Sequence, residues 1–154
     1  MIRQASSLSA SVRPTPAMPI SQAMWRASSV ALNPRFDQAY NNLGIALDNK
    51  GDLEEAIEKY KEAIKINADN PKTWNNLGNA YNKLGRLDEA IGSYERAISL
   101  APDYIAAYNN LGVIYYKKGD HEKARAYWQG ILKMDPANGQ AINNLKVLEE
   151  INRR

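Results

Sequence analysis

Apolar residues in the middle of the chain recur at steps of three and four. Tyr40, Leu43, Gly44 and Leu47 form one stripe; Leu53, Ala56, Ile57, Tyr60, Ala63 and Ile64 form a second. That spacing places each set on one face of an α-helix, with polar residues on the other. Between the stripes, Lys50-Gly51-Asp52 reads as a stop and a restart. Glycine suits the left-handed residue just past a helix end. Asp52, with Glu55 three residues on, reads as a capping box that opens the next helix. Asn70-Pro71 restarts the chain again, with proline in a first turn where no N–H is needed. Gly44 and Ala56 are small enough to let the two helices approach closely, and Tyr60 fills the groove they leave.

The whole pattern then returns at a fixed step of 34 residues. Tyr40-Asn41-Asn42-Leu43-Gly44 is followed by Trp74-Asn75-Asn76-Leu77-Gly78, by Tyr108-Asn109-Asn110-Leu111-Gly112 and by Ile142-Asn143-Asn144-Leu145-Lys146. Glycine keeps the step at Gly51, Gly85 and Gly119, alanine at Ala56, Ala90 and Ala124, and an aromatic at Tyr60, Tyr94 and Trp128. A period of this length is the signature of a stacked repeat array.

These positions resemble the tetratricopeptide repeat: aromatic, Leu-Gly, aromatic, Gly, Ala, aromatic, Ala and Pro at set offsets. Residues 71–104 carry nearly all of them, as Trp74, Leu77, Gly78, Tyr81, Gly85, Ala90, Tyr94, Ala97 and Pro102. Residues 37–70 depart at Leu47 and Ala68, and residues 105–138 at His121 and Ile131. The resemblance implies an all-α fold, a right-handed α-solenoid of antiparallel helix pairs, with units at 37–70, 71–104 and 105–138. Residues 139–154 repeat only a first helix. Lys146 and Glu149 stand there in place of the family's Gly and Tyr, as expected of a capping helix that meets water. Residues 21–36 are a candidate degenerate half-repeat helix: Leu32 and Pro34 fit the pattern, Arg26 and Ser29 do not. Residues 1–20, rich in Ser, Ala and Pro, read as a disordered or extended tail.

Composition narrows the function. The hydrophobic fraction of 44% and charged fraction of 24% are ordinary for a soluble globular chain. No apolar run approaches the roughly 20 residues that span a bilayer. Cysteine is absent, which removes disulfides and thiolate metal sites and fits a reducing compartment, so a cytoplasmic location is expected. The net charge of +3 is unevenly spread. Residues 1–36 hold four arginines and no acid, leaving 16 basic against 17 acidic residues in the rest. A nucleic-acid partner needs a basic face on the folded body, and this body has no basic excess. The acid-free, Arg- and Ser-rich segment 1–30 has a rival reading as an organelle transit peptide.

Candidate binding residues follow from the resemblance. It places the first helix of each unit on the concave side, with the second Asn of each doublet, Asn42, Asn76, Asn110 and Asn144, facing the groove. A side-chain amide offers one acceptor and two donors, so such a column can pair with the main chain of an extended peptide. The alternative is that this Asn is family consensus, present whether or not a ligand binds. Asn79, Lys72, Lys83, Tyr116 and Lys117 fall at other groove positions, and the mixture has no dominant charge. Family members that hold the acidic tail of heat-shock chaperones use basic residues at positions that read here as Asn41, Ala106 and Asn110. None is basic, so that ligand is disfavoured.

Nothing catalytic assembles. His121, the one histidine, sits at the apolar start of a second helix and reads as a half-buried packing residue. Glu54-Glu55 and Asp88-Glu89 are adjacent in sequence and do not face each other, so they suit the start of a helix better than acid–base chemistry. Phosphate loops, nucleophile elbows and His-Glu metal motifs are absent. The expectation is a non-enzyme without cofactor or metal that binds a protein or peptide partner. The second reading is self-assembly into homo-oligomers through the N-terminal segment Ser21–Pro34, which carries Trp25.

Overall fold

The computed structural model describes residues 35–153. The tail 1–20, the transit-peptide reading of 1–30, the self-association segment with Trp25 and most of the stretch 21–36 lie outside the described residues. Among the described residues seven helices follow one another: α1 (Arg35–Lys50), α2 (Leu53–Ile66), α3 (Pro71–Lys83), α4 (Leu87–Leu100), α5 (Ile105–Lys117), α6 (His121–Met134) and α7 (Gly139–Asn152). Arg35 and Phe36 are already helical in α1, two residues ahead of the boundary expected at 37. No strand occurs among the described residues, and no helix there is long and apolar enough to cross a membrane.

The breaks fall where the sequence puts them. Gly51, Gly85 and Gly119 have φ of 96°, 75° and 80°, a region other residues enter only with strain. Asn70 caps α3, its Oδ1 accepting the Lys72 N–H at 3.1 Å, and Pro71 takes the first helical position. Asp120 and Asn138 cap α6 and α7 in the same way. The capping box at Asp52 is not formed. The Asp52 side chain accepts no cap hydrogen bond. It pairs with Lys50 Nζ at 2.7 Å instead, because a cation two residues away on an exposed turn competes for the same carboxylate.

Helices pack as pairs, α1 with α2, α3 with α4 and α5 with α6, and successive pairs stack. The close approach within a pair depends on helix glycines. A Cβ added at Gly44 would lie 2.6 Å from Tyr60 Cε1, and one at Gly78 would lie 2.6 Å from Tyr94 Cε1. Gly112 meets the Trp128 indole in the third pair. Tyr60 and Tyr94 are fully buried as a result. Ile131 is buried where the pattern has alanine, and His121 is half-buried, stacked on Tyr116 at 5.5 Å between ring centroids. In α7, Ala141 and Leu148 bury against α6, while Lys146 and Glu149 are exposed.

Candidate functional site

The first helices of the pairs, α1, α3 and α5, together with α7, are tied to one another by side-chain amides. Asn76 Nδ2 donates to Asn41 Oδ1 at 3.1 Å. Asn110 Nδ2 donates to Asn75 Oδ1 at 3.1 Å and to Asn79 Oδ1 at 3.0 Å. Asn144 Nδ2 donates to Asn109 Oδ1 at 3.1 Å. Three successive junctions thus use the same donor and the same acceptor. The second Asn of a doublet leans toward the preceding pair and the first toward the following one, because adjacent helix positions point about 100° apart. Asn41, Asn75 and Asn109, the first residues of the doublets, lie beside this column of second asparagines. They are its acceptors, and Asn75 is buried. The recurring Asn-Asn doublet was the available signal, one amide for each neighbouring unit.

Asn79 does more than line this layer. Its Oδ1 also accepts the Tyr94 hydroxyl at 2.7 Å. At the corresponding place the first unit has Ile45 and the third Val113, neither able to accept a hydrogen bond. The Tyr60 hydroxyl and Trp128 Nε1 are accordingly buried without a protein partner. Burial, then the Asp48 charge, pushes the Tyr60 phenol up to about 12, and burial raises that of Tyr94 as well.

The other candidates behave differently. Lys83 Nζ is held by Asp48 Oδ1 at 2.6 Å, joining α3 to α1. Tyr116 leans on His121 and lies 6.1 Å from Trp128, so it is packed against α6 rather than free. Lys72 and Lys117 are exposed and make no ion pair among the described residues. Asn42 is exposed and donates no side-chain hydrogen bond among the described residues. The structure therefore brings Asn76, Asn79, Asn110 and Asn144 into one layer of separate amide pairings, ties Lys83 down, and leaves Asn42, Lys72 and Lys117 at the surface. Among the described residues no group of His, Asp and Glu could hold a metal ion. Polar donors and acceptors in a row equip this layer to form hydrogen bonds.

Comparison with known proteins agrees with the geometry. A model described as TPR repeat matches residues 49–85 and 78–119. Models described as Tetratricopeptide repeat match residues 105–138 and 28–58. No curated protein matches the chain. Among solved structures, the first TPR of Spaghetti (RPAP3) bound to the HSP90 peptide SRMEEVD is 22% identical, with a TM-score of 0.74 over 79% of this chain and 97% of that one. The Arabidopsis OM64 TPR domain is 22% identical, with a TM-score of 0.72 over 75% of this chain and 96% of that one. MamA is 24% identical, with a TM-score of 0.72 over 82% of this chain and 74% of that one. At these identities the likeness is one of fold: an all-α solenoid of helix pairs. Matched repeat models running from residue 28 to residue 138, on seven helices with the repeat glycines and aromatics in register, make this chain a member of the tetratricopeptide repeat family.

Proposed function

We propose that the array is a non-catalytic scaffold that holds an extended segment of a partner protein on its concave side, against the layer of first helices. The asparagine layer carries the reading. Each column amide spends N–H groups on its neighbour and keeps its carbonyl oxygen, so Asn76, Asn110 and Asn144 offer a row of acceptors already fixed in place. Main-chain N–H groups of an extended ligand are the matching donors. Fixing the row in advance removes the cost of ordering long side chains on binding. Lys72 and Lys117 supply cations for an acidic side chain, and the exposed Ile45 supplies apolar contact. The chaperone-tail ligand of the Spaghetti neighbour does not transfer, because Asn41, Ala106 and Asn110 stand at the basic positions that ligand needs.

The test uses a peptide selected from a random display library on the intact protein, with affinity measured by calorimetry. Two lost hydrogen bonds at about 0.5–1.5 kcal/mol each predict roughly a tenfold weaker complex for Asn76→Ala with Asn110→Ala. Asn41→Ala with Asn109→Ala keeps the column amides and removes only the fixing of Asn76 and Asn144, a smaller loss. It is expected to bind within about threefold of the wild type. Unchanged affinity in the folded column mutant sinks the asparagine mechanism.

A further inference from the structure

A second recess lies away from the asparagine layer, where the second helices α2 and α4 part over α3. It is a shallow, open recess of about 450 Å³, lined by Ile64 of α2, Trp74, Leu77 and Tyr81 of α3, and Gly92 and Ser93 of α4. Lys61, Lys65 and Glu89 stand around it. The Trp74 ring is held by its Nε1–H, which donates to the Ala68 carbonyl at 2.8 Å.

The protein contains its own template for what fits there. One repeat further on, the same groove runs between α4 and α6, with Tyr108, Leu111 and Tyr115 in the places of Trp74, Leu77 and Tyr81. Part of that groove is filled, while an open recess of about 550 Å³ remains beside Tyr115. Tyr127 of α6 stacks on Tyr115, with centroids 5.6 Å apart and planes 7° apart, and meets Tyr108 edge-on at 6.1 Å. The residue 34 positions before Tyr127 is Ser93, whose hydroxyl turns back to donate to its own helix at Glu89 O, 2.8 Å away. Its neighbour Gly92 has no side chain, and a Cβ there would meet nothing within 4 Å. A cation lies over the ring in both places, from different repeat positions, since the residue 34 before Lys123 is Glu89. Arg86 lies 4.7 Å from the Tyr81 centroid as Lys123 lies 4.9 Å from that of Tyr115. In the third unit a cation and a stacked ring share one tyrosine, Tyr115.

We propose that this recess takes an aromatic side chain, a tyrosine above all, presented by a partner protein, which completes over Trp74 and Tyr81 the arrangement that Tyr127 makes over Tyr108 and Tyr115. Offset stacking is the geometry aromatic rings favour. The polar rim of Lys61 and Glu89 suits a phenol hydroxyl at the mouth. This site is on the second-helix side and uses none of the layer's asparagines, though both draw on α3.

The probe is N-acetyl-tyrosine amide, titrated into the full chain and followed by NMR at the Gly92 and Ser93 amides and the Trp74 indole N–H. Saturable shifts at these three signals are expected, with binding at least fivefold weaker for N-acetyl-leucine amide. Ser93→Tyr supplies from within the ring that Tyr127 supplies next door, and is expected to abolish the shifts. Gly92→Leu fills the recess from the neighbouring position and serves if Ser93→Tyr misfolds; the same loss is expected. Absent saturation, equal binding of the leucine probe, or full shifts in a folded filled variant each overturn the proposal.

Discussion

Tyr60, Tyr94 and Trp128 hold equivalent places, each lying against a helix glycine, yet their polar tips differ. Tyr94 donates to Asn79, while the Tyr60 hydroxyl is buried with no protein partner. A desolvated hydroxyl without a partner costs about 1–3 kcal/mol, whereas a satisfied one contributes about 1. Tyr60→Phe is therefore expected to leave stability unchanged or raise it by about 1 kcal/mol, and Tyr94→Phe to lower it by about 1 kcal/mol. Urea denaturation of the two variants reads the difference, and equal losses would contradict the assignment. The two phenols also set an alkaline limit. Their native pKa values lie above the unfolded value of 10.0, so above that pH the native state holds protons that the unfolded state has lost. Their contribution is intact below pH 10 and is lost as pH rises, for Tyr60 through about 12. Tyr60→Phe is expected to flatten the fall in melting temperature across that window.

Helix starts divide into those with a side-chain cap and those without. Asn70, Asp120 and Asn138 accept a backbone N–H, while Asp52, Arg86 and Tyr104 make no side-chain cap bond. Asn138→Ala is expected to cost about 1 kcal/mol, the usual value of a lost cap. Asp52→Ala loses only an exposed ion pair with Lys50 and is expected to cost under about 0.5 kcal/mol. Thermal melts of the two variants rank them, and a larger loss at Asp52 would mean that its cap forms in solution. The helices, the glycine breaks and the glycine–aromatic contacts were all legible in the sequence, because the 34-residue period shows the same solution three times. Local spacing misled at Asp52, where a nearby lysine takes the carboxylate. The amide pairing was hidden for another reason. Asn41 and Asn76 are 35 residues apart, and whether they touch depends on how one pair stacks on the next. The recess beside Gly92 was hidden likewise, since an absent side chain matters only once its surroundings are known.

Across the molecule, each helix packs chiefly on its neighbours in sequence, and the amide ties between α1, α3, α5 and α7 also join only adjacent units. Stability in such an array is a sum of local terms and interfaces between neighbours. The ion pairs between units, Lys83 with Asp48, Arg96 with Asp69 and Lys118 with Asp88, each have at least one well-exposed partner and add little, so packing decides. The last interface is made by α7, whose Ala141 and Leu148 are buried in one cluster with Trp128 and Ile131. Burying a leucine alone contributes about 1.5–3 kcal/mol, and the Asn144–Asn109 bond is made here too. Deleting residues 139–154 is therefore expected to destabilise the protein by on the order of 3 kcal/mol and to expose apolar surface that binds a hydrophobic dye. The loss has a direction. Native-state hydrogen exchange is expected to speed up most in α6 and α5, next to the lost helix, and least in α2 and α3. A uniform loss of protection from α1 to α6 would show one cooperative block in place of a chain of neighbouring interfaces.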